Sequence, residues 1–217
     1  MTFMTRVITI VLAAFALSAP VQAEHLAPRN ECAKLTGASD FVRTLTTAVA
    51  NRNAEMLRGI VDENIVLDFG GGSGWNEMQG RLLSPDYNLW AELDAVLRLG
   101  CGAYDDGSIA MPLYWVKPMP DGYESYGTYI VTGSKVPLYS AQTAGAVFTH
   151  LDWEAVELVA YLESVELGED PALVEIRRAD GTRGFADRAL LRSLVDYRLL
   201  AAAEDGAWRI THFIAGD

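Results

Sequence analysis

The groups in this sequence that could do chemistry are a glycine run, Gly70 to Gly74, three histidines, two cysteines and a surplus of carboxylates. A glycine-rich turn after a strand can bring backbone N–H groups onto an anion. Here no Gly-Lys-Ser or Gly-Lys-Thr follows, and the spacing is not that of a dinucleotide fingerprint. The run therefore reads as a turn lining a groove, flanked by Asp68 and Trp75. His25, His150 and His212 share no helix face, so no metal site is expected. Cys101 with His150 or His212 could form a nucleophile and its base. Cys101 follows a helix end, however, where the dipole raises a thiol pKa and suppresses reactivity. Asp68 and Glu77 could act as acid and base on a glycan, but with 29 acidic residues such proximity is expected by chance. No catalytic residue, metal or cofactor is assigned. The runs Glu154 to Glu157 and Glu163 to Asp170 read as solvated acidic surface.

Composition narrows the partners. Seventeen basic residues against 29 acidic ones give a net charge of −12, which argues against binding a phosphate backbone or docking on anionic lipid. Nucleic acid is excluded as an expected partner. The start of the chain carries Arg6, an apolar run from Val7 to Leu17, and the small residues Val21 and Ala23 at the spacing of a cleavage site. This pattern predicts a secretory signal peptide over residues 1–23, with export to the periplasm or the medium. A membrane anchor would need about 18 apolar residues, and this run stops sooner, at Ser18 and Pro20. No other stretch is long enough to span. In an oxidising compartment Cys32 and Cys101 are expected to pair as a disulfide, with two buried free thiols as the alternative.

The elements that must position these groups fall into two halves. Asp40 is placed to cap a helix carrying Phe41, Val42, Leu45, Ala48 and Val49, and a shorter helix carries Met56, Leu57, Ile60 and Val61. Ile65 to Phe69 reads as a strand. A further helix presents Leu89, Trp90, Leu93, Val96 and Leu97 and stops at Gly100. Tyr104 to Gly127, rich in proline and aromatics, reads as a boundary of loop or short strands. Past it the helical period disappears. Short β-rich runs at Tyr129 to Thr132, Val136 to Tyr139, Val156 to Val159, Leu173 to Ile176 and Thr182 to Phe185 predict a small all-β unit. Ala179-Asp180-Gly181 marks a hairpin within it. Glu204-Asp205-Gly206 marks a second hairpin, between Tyr197 to Ala202 and Trp208 to Phe213. The predicted class is α+β: a helix-rich unit over 24–127 and an all-β unit over 128–193, with 194–217 either a tail or the completion of the first unit.

The run Val131 to Ser140, and more strongly Ala172 to Leu190 with its paired strands about Asp180-Gly181 and its Gly184-Phe185 pair, resembles the bacterial Src-homology-3-like (SH3-like) domain. Leu173 stands where that family usually carries tryptophan. The resemblance implies a five-stranded barrel over 128–193 and a non-catalytic binding or scaffolding role toward peptidoglycan or an envelope protein. Tyr139, Phe148, Trp153 and Phe185 are then the candidate groove aromatics. The remaining helices, strand and closing hairpin resemble the nuclear transport factor 2-like cone. That likeness implies a C-terminal hairpin returning to the first unit, and a second reading, a small envelope enzyme whose pocket has Asp68 and Trp75 at its mouth.

Overall fold

The computed structural model describes residues 24–143, 145–159 and 172–216. The expected signal peptide and the acidic run Glu163 to Asp170 lie outside them. The class is α+β, with four α-helices and two sheets among the described residues.

The first half opens on helix α1 (Ala38–Ala50), whose inner face is Phe41, Leu45, Ala48 and Val49. Its N-cap position is Gly37, in the left-handed region at φ 77°, while Asp40 lies inside the first turn and pairs with Arg43 at 2.8 Å. Asn53 caps α2 (Ala54–Arg58) by accepting from the Met56 N–H at 2.9 Å, and α2 ends at Arg58. Ile60 and Val61 are thus not helical; Val61 begins strand β1 (Val61–Val66). Helix α3 (Trp75–Leu83), absent from the sequence reading, follows the glycine run, and α4 (Leu89–Arg98) buries Leu89, Leu93 and Val96. As expected, α4 gives way to Gly100, at φ 81°. The short strands β2 (Gly102–Ala103) and β3 (Ile109–Met111) then lead into the Pro-rich boundary.

Seven strands occupy the second half: β4 (Thr128–Val131), β5 (Val136–Tyr139), β6 (Val147–Leu151), β7 (Ala155–Leu158), β8 (Leu173–Arg178), β9 (Arg183–Asp187) and β10 (Leu191–Ser193). They form one antiparallel sheet ordered β10-β4-β7-β8-β9-β5-β6. Five strands correspond to those expected, and β6 and β10 are additional. The expected closed barrel is not what forms, because among the described residues β10 and β6 end the sheet without pairing to each other. The physical reason lies at both ends. After three residues β10 stops and the chain turns back to the first sheet, while β6 pairs on one side only, with β5. Alternation buries Val136, Leu138, Val156, Val174, Ile176 and Ala186 on the inner face.

The final hairpin, β11 (Arg198–Glu204) and β12 (Ala207–Ile214), turns through Asp205 and Gly206, both at positive φ as a two-residue loop requires. It completes the first sheet, ordered β1-β12-β11-β3-β2. There β12 runs parallel to β1 and β11 lies antiparallel to β3, so strands on either side of the all-β segment are direct neighbours. Leu199, Ala201, Ile210 and Phe213 from the hairpin pack against Phe41, Leu45 and Leu93 in one core. A smaller cluster of Leu26, Leu99, Tyr114, Ile130, Ala155 and Leu194 joins the two sheets. The expected disulfide Cys32–Cys101 is present, with Cα atoms 5.7 Å apart.

Candidate functional site

Of the four candidate groove aromatics, three come together. In β5, Val136 and Leu138 point into the core, which turns Tyr139 to the outer face; in β9, Gly184 and Ala186 do the same for Phe185. Tyr139 and Phe185 are directly opposite in the β5–β9 pairing. On the other side of β5, Leu138 faces Thr149 and Tyr139 faces Val147, so Phe148 is the extra residue of a bulge. Bulges re-aim side chains at sheet edges. Here Val147 and Phe148 keep 45% and 50% of their surface exposed on the edge strand β6. Trp153 does not join them. It sits in a left-handed turn at φ 46° and packs into the cluster between the sheets, where its carbonyl accepts from the Leu26 N–H at 2.7 Å. Its role is to seat the start of the folded chain.

The glycine run is organised by charge. Asp68 Oδ1 accepts from the N–H groups of Gly70 (2.8 Å) and Gly72 (2.9 Å). Arg81, buried beneath the loop, pairs with both Asp68 and Glu77 and donates to the Leu67 carbonyl at 3.1 Å. Glu77 accepts from the Ser73 N–H at 3.2 Å, and the Tyr87 ring covers the guanidinium at 4.8 Å. The Arg81 hydrogen bond, then that of Gly72, holds the Asp68 carboxyl below its ordinary pKa. A carboxylate held in that state is a poor general acid, and both acids are committed to the loop. Trp75 opens α3 and is buried in the first core, away from any mouth.

A Cβ on Gly72 would run into Asp68, Arg81 and Glu77 together. Gly72→Ala is therefore expected to cost about 1–3 kcal/mol, the usual range for overpacking. Gly80, in the middle of α3 with open space around its Cα, is the control. Gly80→Ala is expected to stabilise by about 0.5–1 kcal/mol through lower backbone entropy in the unfolded chain. Urea unfolding of the two variants checks the pair of signs.

The remaining chemistry is sparse. The disulfide removes Cys101 as a nucleophile. His25 lies 3.5 Å from Asp152 and His150 is exposed; His212 is half-buried, and burial followed by the charge of Arg198 draws its pKa down. Among the described residues no three metal-ligating side chains converge. Glu154, expected to be solvated, is buried and bonded to Arg178 at 2.8 Å, and Glu157 pairs with Arg177. Each acid has a guanidinium on the adjacent strand, which offsets the cost of desolvation. The space between helices and first sheet is occupied by Phe41, Trp75, Met78, Trp208 and Phe213.

Two open clefts escaped the sequence reading. One, of about 1130 Å³, has Asp62, Glu63, Glu204 and Asp205 among its acidic walls. The other, of about 810 Å³, brings Arg98, Arg188 and Arg192 to the junction of the two sheets. No local pattern marks either, because their walls come from segments far apart in sequence. Compared with family models, curated proteins and solved structures, the chain matches none.

Proposed function

We propose that this chain is an exported, non-catalytic binding protein, with an SH3-like β unit inserted into a nuclear transport factor 2-like α+β unit. Its partner is peptidoglycan or another envelope component, held through the outer aromatics of the β unit. The observation that carries the reading is the adjacency of Tyr139, Phe185 and the half-exposed Phe148 at an open sheet edge. Aromatics of this kind offer large apolar area at low entropic cost, and an edge strand offers unpaired backbone groups beside it. The packed interior of the α+β unit, and the commitment of Asp68 and Glu77 to the loop, favour binding over the enzyme reading.

Sedimentation with purified peptidoglycan tests it. Phe148→Ala and Phe185→Ala are each expected to reduce retention by about tenfold, the effect of removing one aromatic anchor. Both side chains lie outside the buried core, so the variants should fold. Retention indifferent to both changes would remove the aromatic edge as the binding surface.

A further inference from the structure

We propose that the cleft at the junction of the two sheets is a binding site for an oxyanion-bearing ligand, a carboxylate or a phosphate. It is a different surface from the aromatic edge and stands without it. Its arginines come from three separate elements: Arg98 from the last turn of α4, Arg188 from the 3-10 turn Arg188–Leu190, and Arg192 from β10. In a chain of net charge −12, such convergence runs against the average surface.

The acids of the walls do not cancel it. Asp196 is engaged by Arg192 at 3.2 Å and by the Tyr197 N–H at 2.7 Å. Asp187 accepts from the Ala189 N–H at 2.9 Å, capping the turn that carries Arg188. Behind the cleft, Asp94 pairs with Arg98 and Glu92 lies 3.7 Å from Arg192. The Arg98 pair is a solvent-exposed i,i+4 contact, of the kind that contributes little and yields readily to a better acceptor. Arg192 is held rigidly by its acids and the Tyr197 carbonyl at 3.2 Å, yet its Nε is buried with no hydrogen-bond partner among the described residues. A donor in that condition is costly to leave unmet. Planar guanidinium forks fit carboxylate and phosphate oxygens in pairs, and the Ser193 hydroxyl beside them adds a neutral donor.

The experiment is a titration of the purified chain, followed by the arginine Nε resonances in proton–nitrogen spectra. Inorganic phosphate is one probe and N-acetyl-D-alanyl-D-alanine, which ends in a free carboxylate, is the other. Saturable shifts of the Arg98, Arg188 and Arg192 signals are expected with at least one probe. Whichever saturates identifies the source of the oxyanion. Arg98→Gln and Arg188→Gln are each expected to weaken binding by about tenfold, the scale of a lost charge-assisted hydrogen bond. Arg58→Gln, in the acidic cleft, should leave it unchanged. Absence of saturation with both probes, or an affinity that neither cleft variant alters, overturns the proposal.

Discussion

Ending the chain at Ser193 is expected to unfold the helical half of the protein. The truncation removes β11 and β12, which lie in the interior of the five-stranded sheet between β1 and β3. It takes Leu199, Ala201, Trp208, Ile210 and Phe213 out of the core shared with α1 and α4. At about 1.5–3 kcal/mol for each large apolar side chain, the loss matches or exceeds the whole stability of an ordinary domain. The lost ladder partners of β1 and β3 add to it. Circular dichroism of a chain spanning 24–193 should show the helical signal much reduced and no cooperative thermal transition from the helices. A fragment that keeps its helices and melts cooperatively would refute the dependence of the first unit on the last hairpin.

Reducing the Cys32–Cys101 disulfide is expected to lower stability by about 4 kcal/mol in the chain-entropy account for its loop of 69 residues. Both cysteines are buried, and the segment that carries Cys32 runs beside Cys101. Glu31 donates to the Cys101 carbonyl at 2.8 Å and Cys101 donates to the Arg29 carbonyl at 3.0 Å. Without the covalent tie, that segment would depend on these two bonds and on Leu26 in the cluster between the sheets. Urea unfolding with and without reductant measures the difference. Identical midpoints in the two conditions would show that the bond adds nothing to the fold.

Legibility in the sequence followed the range of the interaction. The hairpins at Asp180-Gly181 and Asp205-Gly206 were readable because a positive φ and an Asp side chain bonded two residues on are encoded within a few positions. The two long helices were readable from one apolar stripe each. Helix α3 was not, since its buried positions include Arg81, a charge satisfied by residues outside the helix. Strand β6 was not, because its first residues, Val147 and Phe148, face outward on a sheet edge and break the alternation that betrays a strand. At the candidate edge, the sequence supplied Tyr139, Phe148 and Phe185 as residue types. Only the β5–β9 register made the first and last neighbours, and only the sheet junction drew Trp153 away.

By itself the sequence determined the α+β class, the partition into a helix-rich and a β-rich half, the turns and the pair of cysteines that close. These follow from local backbone preferences, apolar periodicity and a count of thiols in an exported chain. The tertiary structure alone decided that β12 lies parallel to β1, that β3 meets β11 across the whole β-rich segment, that the second sheet stays open, and that three arginines share one cleft. Each of those depends on segments distant in the chain. Their pairing is selected by the burial of a common core rather than by any preference written at the residues themselves.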